Sequence, residues 1–151
     1  MRIRNADAPA ARRQADWIVQ LEPWRSLGYE KRRLAAWLAR QAREGHVRMA
    51  SQGNVTLGVA VALPDFLLGA FIALLAVRSD AAGHGVGRGL VEDAGARAAR
   101  QRRWLYTSCD AGNRDAARFY RRLGFKRVGR LPDLIRPGRT EILLRRAAKR
   151  G

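Results

Sequence analysis

Cysteine occurs once, as Cys109, which excludes an intramolecular disulfide framework and argues against a cysteine-built zinc site. The first residues, MRIRNADAP, lack the apolar stretch of a signal peptide, so the expectation is a protein of the reducing cytoplasm. Two phosphate-binding fingerprints are missing as well. Nowhere do two glycines separated by four residues precede Lys and Ser or Thr, which excludes a nucleoside triphosphate loop. A dinucleotide fingerprint fails too, because counting from Gly83 or Gly85 puts Arg88 or Leu90 where its last glycine belongs. Internal repeats and low-complexity segments are absent.

An unbroken apolar run of membrane-spanning length is lacking. Residues 57–77 come close, with a single charge, but Pro64 and Asp65 interrupt the middle and Gly58 and Gly69 flank it. That punctuation predicts a turn at Pro64-Asp65 between two buried strands and no membrane helix.

Positive charge is what the sequence has in excess. Thirty Lys plus Arg face 13 Asp plus Glu, a net charge of +17 at pH 7. Nearly all of it is arginine, the lysines being Lys31, Lys126 and Lys149. Such a field draws polyanions, whether nucleic acid or a multiply phosphorylated cofactor, and does not choose between them. With 151 residues and 47% hydrophobic content the chain can bury one core, so a single domain over residues 1–151 is expected.

In chain order, residues 1–5 read as a short strand, and Asp7 as the N-cap of a helix with Pro9 in its first turn. Ala11, Ala15, Ile18 and Leu21 recur at helical intervals up to Pro23, predicting one continuous helix. Leu34, Trp37 and Leu38 mark a second helix over residues 30–43, closed by Gly45. A hairpin follows, 47–50 and 55–63 around Gly53-Asn54, and then a central strand over 71–77, apolar on both faces. A helix over 86–102 buries Val86, Leu90, Val91, Ala94 and Ala98. Residues 104–109 form a strand, Asn113 opens another helix, and Gly124 stops it. Strands over 126–129 and 140–144 flank the loop 132–138, and the tail RRAAKRG reads as frayed.

The stretch LLAVRSDAAGHGVGRGL, residues 74–90, is a strand that turns through Gly83, Gly85 and Gly87 into a helix. Such a turn brings bare amides and the positive end of a helix dipole to one place, suited to phosphate or pyrophosphate. Its run Ala82-Gly83-His84-Gly85-Val86-Gly87 resembles the acyl-coenzyme A loop of the GNAT superfamily of N-acetyltransferases, Arg/Gln-x-x-Gly-x-Gly/Ala after a buried strand, and departs from it at Ala82. Downstream, NRDAARFYRRLGF, residues 113–125, resembles the same family's Asn-x-x-Ala-x-x-x-Tyr-x-x-x-Gly-Phe pattern. The resemblance covers residues 66–145; the first 65 share only two helices ahead of the sheet.

The resemblance implies an α/β fold of the α+β type, the acyl-CoA N-acyltransferase (GNAT) fold. Its sheet is mixed but mostly antiparallel, flanked by helices, with central strands 71–77 and 104–109 splayed apart. It implies acetyl-CoA as acyl donor and a primary amine as acceptor, in a small molecule, a peptide or a protein terminus or lysine. Backbone of Leu75, Ala76 and Val77 would meet pantetheine, and Ala82, Gly83, His84, Gly85, Val86, Gly87 and Arg88 the pyrophosphate. Asn113, Ala116 and Phe119 would line the opposite wall, with Tyr120 as the acid toward the leaving thiolate. No metal is implied. A glutamate found in some relatives on the central strand has no counterpart here, and the position five residues before the asparagine, glutamate in the ribosomal-protein acetyltransferases, is Ser108. Glu22, Asp110 and Glu141 remain as candidate bases. A homodimer is left open, and a membrane partner is not expected. The competing readings are a basic nucleic-acid-binding module, which lacks any recognised nucleic-acid motif, and a GNAT-like protein that binds acyl-CoA without turnover.

Overall fold

The computed structural model describes residues 1–101 and 104–149. Seven strands, β1 (Arg2–Asn5), β2 (Val47–Gln52), β3 (Val55–Phe66), β4 (Gly69–Val77), β5 (Trp104–Asp110), β6 (Lys126–Pro132) and β7 (Thr140–Ala147), form one sheet in the order β1-β2-β3-β4-β5-β7-β6. The helices are α1 (Ala8–Arg13), α2 (Ala15–Ile18), α3 (Lys31–Arg43), α4 (Val86–Ala98) and α5 (Arg114–Arg122), with a 3-10 turn at Ser79–Ala81. Antiparallel ladders join β1 to β2, β2 to β3, β5 to β7 and β6 to β7, and a parallel ladder joins β4 to β5. Among the described residues no helix is long and apolar enough to cross a membrane.

The chain groups into two compact units, Met1–Ala62 with Leu74–Val91, and Leu63–Ala73 with the described residues from Glu92 onward. In the first unit Asp7 caps α1, its side chain accepting the Ala10 amide at 2.8 Å, with proline in the opening turn. The single helix expected through Leu21 is instead broken at Gln14 into α1 and α2. Gln14 turns its side chain inward, donating to the Ala10 carbonyl at 2.9 Å and accepting from the Trp17 indole at 2.8 Å, so it competes with the regular ladder. Ile18 and Leu38 are fully buried, as are Val47, Val59 and Val61 of the β2–β3 hairpin. Val86 and Leu90 of α4 close a cluster with Ala50, Ala60 and Ala81, against which Ile3, Leu57, Leu75 and Val77 pack.

The hairpin between β3 and β4 corrects the sequence reading. β3 runs through Pro64-Asp65 as far as Phe66, and the turn is Leu67-Leu68, both at positive φ (45° and 61°). Left-handed angles at both turn positions match the twist of the flanking strands, a role usually signalled by Asn or Gly, and two leucines carry no such signal. Both are exposed, at 64% and 78%. The hairpin is held from within: Phe66 packs tilted against Phe71 and edge-on against Tyr106, and the Tyr106 hydroxyl donates to the Leu67 carbonyl at 3.1 Å. Gly58 and Gly69, read as punctuation, are close-packing positions. A Cβ on Gly58 would lie 2.8 Å from Val86 Cγ1, and one on Gly69 2.9 Å from the Trp104 carbonyl carbon.

In the second unit the core is Leu105, Tyr106, Tyr120, Phe125, Ile142 and Leu144. α4 keeps its expected stripe but ends at Ala98, with residues 99–101 in a turn; Arg102, the last residue of that prediction, lies outside the described residues. The tail is not frayed through Ala147. β7 extends to that residue, and Arg146 is buried there, paired to Glu92 of α4 at 3.1 and 3.2 Å and donating to the Leu123 carbonyl at 2.7 Å.

Candidate active site

In the first unit β4 ends at Val77 and the chain turns through Ser79–Ala81 into an exposed loop, Ala82 to Gly85. Gly83 and Gly85 stand at φ +79° and +81°, and a Cβ on either would meet no atom within 4 Å. Glycine is therefore demanded by backbone angle, not by crowding, and the space above the loop is open. α4 begins at Val86, and the Gly89 amide bonds the Gly85 carbonyl at 2.9 Å. The amides of Val86, Gly87 and Arg88 precede that bond and occupy the orphan positions of a helix N-terminus. Gly87 sits within the first turn of α4 and Arg88 is exposed. His84 is an exposed loop residue whose Nδ1 lies 3.4 Å from the Ala81 carbonyl. On β4, Leu74 and Ala76 are buried while Leu75 and Val77 are half-buried, so the strand presents one covered and one partly open face.

In the second unit the β4–β5 ladder runs from Gly69↔Trp104 to Ile72↔Thr107, and β5 continues to Asp110. Asn113 caps α5, its side-chain oxygen accepting the Ala116 amide at 3.0 Å. Ala116 and Phe119 are half-buried and Tyr120 is buried, its ring edge-on to Phe119 and Phe125. The Tyr120 hydroxyl hydrogen-bonds with Thr107, and burial pushes the phenol up to about 12. Thr107 donates its own proton to the Ile72 carbonyl at 3.3 Å, which leaves its oxygen to accept from Tyr120. Cys109, on the same face of β5, is a buried free thiol that burial pushes upward.

The candidate bases separate sharply. Glu22 is exposed, accepts from Ser26 and from Arg25 at 3.1 Å, and the Ser26 hydroxyl holds its carboxyl below the usual range. Asp110 is gripped by Arg139 through two bonds of 3.0 and 2.9 Å, which lower it likewise. Glu141 alone of the three is buried, 8% exposed, and burial raises its carboxyl; Ser108 Oγ donates to its Oε1 at 3.1 Å. That pairing was out of reach of the sequence, because it depends on the β5–β7 register. A cavity of about 590 Å³ lies beside α5, lined by Cys109, Ala117, Arg121, Phe125, Ile142 and Leu144 among others; Asn113, Ala116 and Phe119 are not part of its wall. Among the described residues no cluster of His, Cys, Asp or Glu could hold a metal ion.

The seven-stranded mixed sheet, with a glycine turn leading from a central strand into a helix, defines the acyl-CoA N-acyltransferase fold. The chain belongs to the acetyltransferase (GNAT) family, whose sequence profile matches residues 10–125. Solved structures agree on the fold. An aminoglycoside 6′-N-acetyltransferase complexed with coenzyme A superposes with a TM-score of 0.81 at 18% identity, covering 99% of this chain and 98% of that one. A GNAT-family acetyltransferase from Bacillus cereus gives 0.78 at 18% identity with the same coverage. A ribosomal-protein-alanine N-acetyltransferase from Brucella melitensis gives 0.73 at 23% identity, covering 97% and 99%. Among curated proteins, none matches the sequence significantly.

The acyl donor of this family is acetyl-CoA. The first unit fits its phosphates: two left-handed glycines under open space, the amide-rich start of α4, and the exposed Arg88 beside them.

Proposed function

We propose that this chain is an N-acetyltransferase that passes an acetyl group from acetyl-CoA directly to a primary amine in a ternary complex. The observation that carries the reading is the turn at Gly83 and Gly85, whose angles and open upper side serve an anion at the start of α4. Relatives named for aminoglycosides and for a ribosomal-protein alanine favour an amine as acceptor.

Acetyl-CoA, when bound, supplies a thioester whose carbonyl carbon is open to attack. Backbone groups of Leu75, Ala76 and Val77 would align its pantetheine, with the Val77 amide as donor toward the carbonyl oxygen. Residues 82–88 would hold the pyrophosphate, Ala82 contributing only its amide where many relatives have a cation. Asn113, Ala116 and Phe119 would be further contacts for the coenzyme. Tyr120 would serve the departing sulfur by turning its one hydroxyl proton from Thr107 to it. Full proton transfer from a phenol at about 12 to a thiolate of ordinary pKa near 8.5 is uphill by about 5 kcal/mol. Tyr120 therefore acts as a hydrogen-bond donor that stays protonated throughout the working pH range, rather than as a free acid. A buried, unpaired Cys109 suits a reducing compartment such as the cytoplasm.

The test is calorimetric titration with acetyl-CoA, followed by thiol release over an amine panel. Saturable binding and release with at least one amine are expected. Tyr120→Phe should lower kcat roughly tenfold and leave the acetyl-CoA Kd within about twofold; an unaltered kcat removes Tyr120 from this role. Absence of acetyl-CoA binding would sink the reading altogether.

A further inference from the structure

We propose that Glu141 is the group that receives the acceptor amine and takes its proton, with Ser108 as the positioning residue that orients its carboxyl. This rests on the acetyltransferase reading above.

The placement follows from register. β5 and β7 are antiparallel with Ser108 opposite Leu143 and Asp110 opposite Glu141, so Ser108, Asp110 and Glu141 project from one face of this ribbon. Thr107, Cys109, Ile142 and Leu144 project from the other, the face on which Thr107 meets Tyr120. An attacking nitrogen and a departing sulfur occupy different sides of the reacting carbon. The β4–β5 ladder runs only to Ile72↔Thr107 while β5 continues to Asp110, and at that edge of β5 a proton acceptor from one face and a hydrogen-bond donor from the other suit that division.

The surroundings single out Glu141. Its Oε1 accepts from Ser108, and among the described residues that is its one hydrogen-bond partner, which leaves Oε2 for a ligand. The charged groups around it are few. Asp110 lies opposite on β5 and is already neutralised by Arg139, which comes from the turn before β7. Cys109 projects from the far face, and Leu131, opposite on β6, is uncharged. A primary ammonium would meet one unneutralised carboxylate in a mostly buried setting, where its charge is worth more than at the surface. Burial lifts the carboxyl above the ordinary glutamate value of 4.5, toward the range in which a carboxylate is an effective base.

The step balances. An N–H proton moves to Glu141 Oε2, and the nitrogen lone pair forms the bond to the acetyl carbon. The nitrogen then gives up a second proton, the C–S bond breaks with its electron pair on sulfur, and that second proton passes to the thiolate, leaving an amide and a free thiol. Glu141 returns its proton to solvent.

The sign of the pH dependence is fixed by the direction of the shift. The base is competent when ionised, so kcat/KM rises with pH through a limb shifted upward from the ordinary glutamate value. Ser108→Ala removes a hydrogen bond that favours the carboxylate, so that limb should move to higher pH.

The experiment measures thiol release by the whole chain with spermidine, kanamycin and a peptide beginning with free alanine, each across pH. Acetyl-CoA Kd and melting temperature are followed for every variant. Glu141→Gln should lower kcat/KM at least about tenfold and abolish the limb, with the acetyl-CoA Kd within about twofold of wild type; Ser108→Ala should retain the limb at higher pH. A Glu141→Gln protein that keeps both rate and limb overturns the proposal. So does a wild type that binds acetyl-CoA yet turns over none of these amines. Should Glu141→Gln fail to fold, an unmoved limb in Ser108→Ala overturns it instead. A wild type that does not bind acetyl-CoA defeats the underlying acetyltransferase reading, a distinct outcome.

Discussion

Arg146 shows how much one residue can be asked to hold. Its side chain is 4% exposed; the guanidinium forks onto Glu92, donates to the Leu123 carbonyl and lies 5.3 Å from the Phe125 ring, while Nε has no hydrogen-bond partner among the described residues. A buried cation costs several kcal/mol of desolvation, which only its partners offset. Glu92 keeps contact with water, at 40% exposure, so losing it costs less than breaking a fully buried pair. Glu92→Gln should destabilise the fold by roughly 2 kcal/mol, read as a lower urea midpoint at unchanged slope. Arg146→Met, which removes the buried charge along with its need for a partner, should cost less than Glu92→Gln. The tail sequence RRAAKRG gave no hint of this, because a run of small and basic residues looks the same whether it ends in water or continues a strand.

At the level of elements, the loop before α4 and the strand beneath α4 use glycine for opposite reasons. Gly85 stands at φ +81° in open space, so Gly85→Ala meets strain and no clash. The expected cost is about 1 to 2 kcal/mol of backbone energy. If the loop relaxes to avoid it, acetyl-CoA binding weakens about tenfold by calorimetry while the melting temperature falls only slightly. Gly58→Ala should do the reverse, since its new methyl would press on Val86, Leu90 and the Ala76 carbonyl and unseat the helix from β3. The β3–β4 turn belongs at this scale too. Asp65 takes a left-handed φ of 65° within β3, but the reversal is made by two leucines, because residues 66, 71 and 106 pack together where the hairpin must close.

Across the whole molecule the dominant quantity is the net charge of +17. It predicts non-specific attraction to DNA at low salt that is lost as counterions compete, by orders of magnitude between about 50 and 500 mM. Acetyl-CoA binding should fall much less over the same range, because backbone amides and loop geometry carry part of it. Fluorescence anisotropy with a short duplex, run beside calorimetry with acetyl-CoA, separates the two. DNA binding that stays tight at high salt while acetyl-CoA fails to bind would favour a nucleic-acid module over an acetyltransferase.

The sequence by itself determined the donor side. Helical and strand periods, the Asp7 and Asn113 caps, the glycine turn and the run from Asn113 to Phe125 are local signals, and local signals survive in one dimension. They were enough for the family and the acyl donor. Only the tertiary structure decided the rest: the break at Gln14, the Leu67-Leu68 reversal, the buried Arg146, and the meeting of Ser108 with Glu141 across 33 residues of chain. The break at Gln14 comes from its own side chain bonding Ala10 and Trp17, a choice that helical periodicity does not reveal; the other three depend on which strand lies beside which and in what register, and a one-residue slip would have turned Glu141 to the other face.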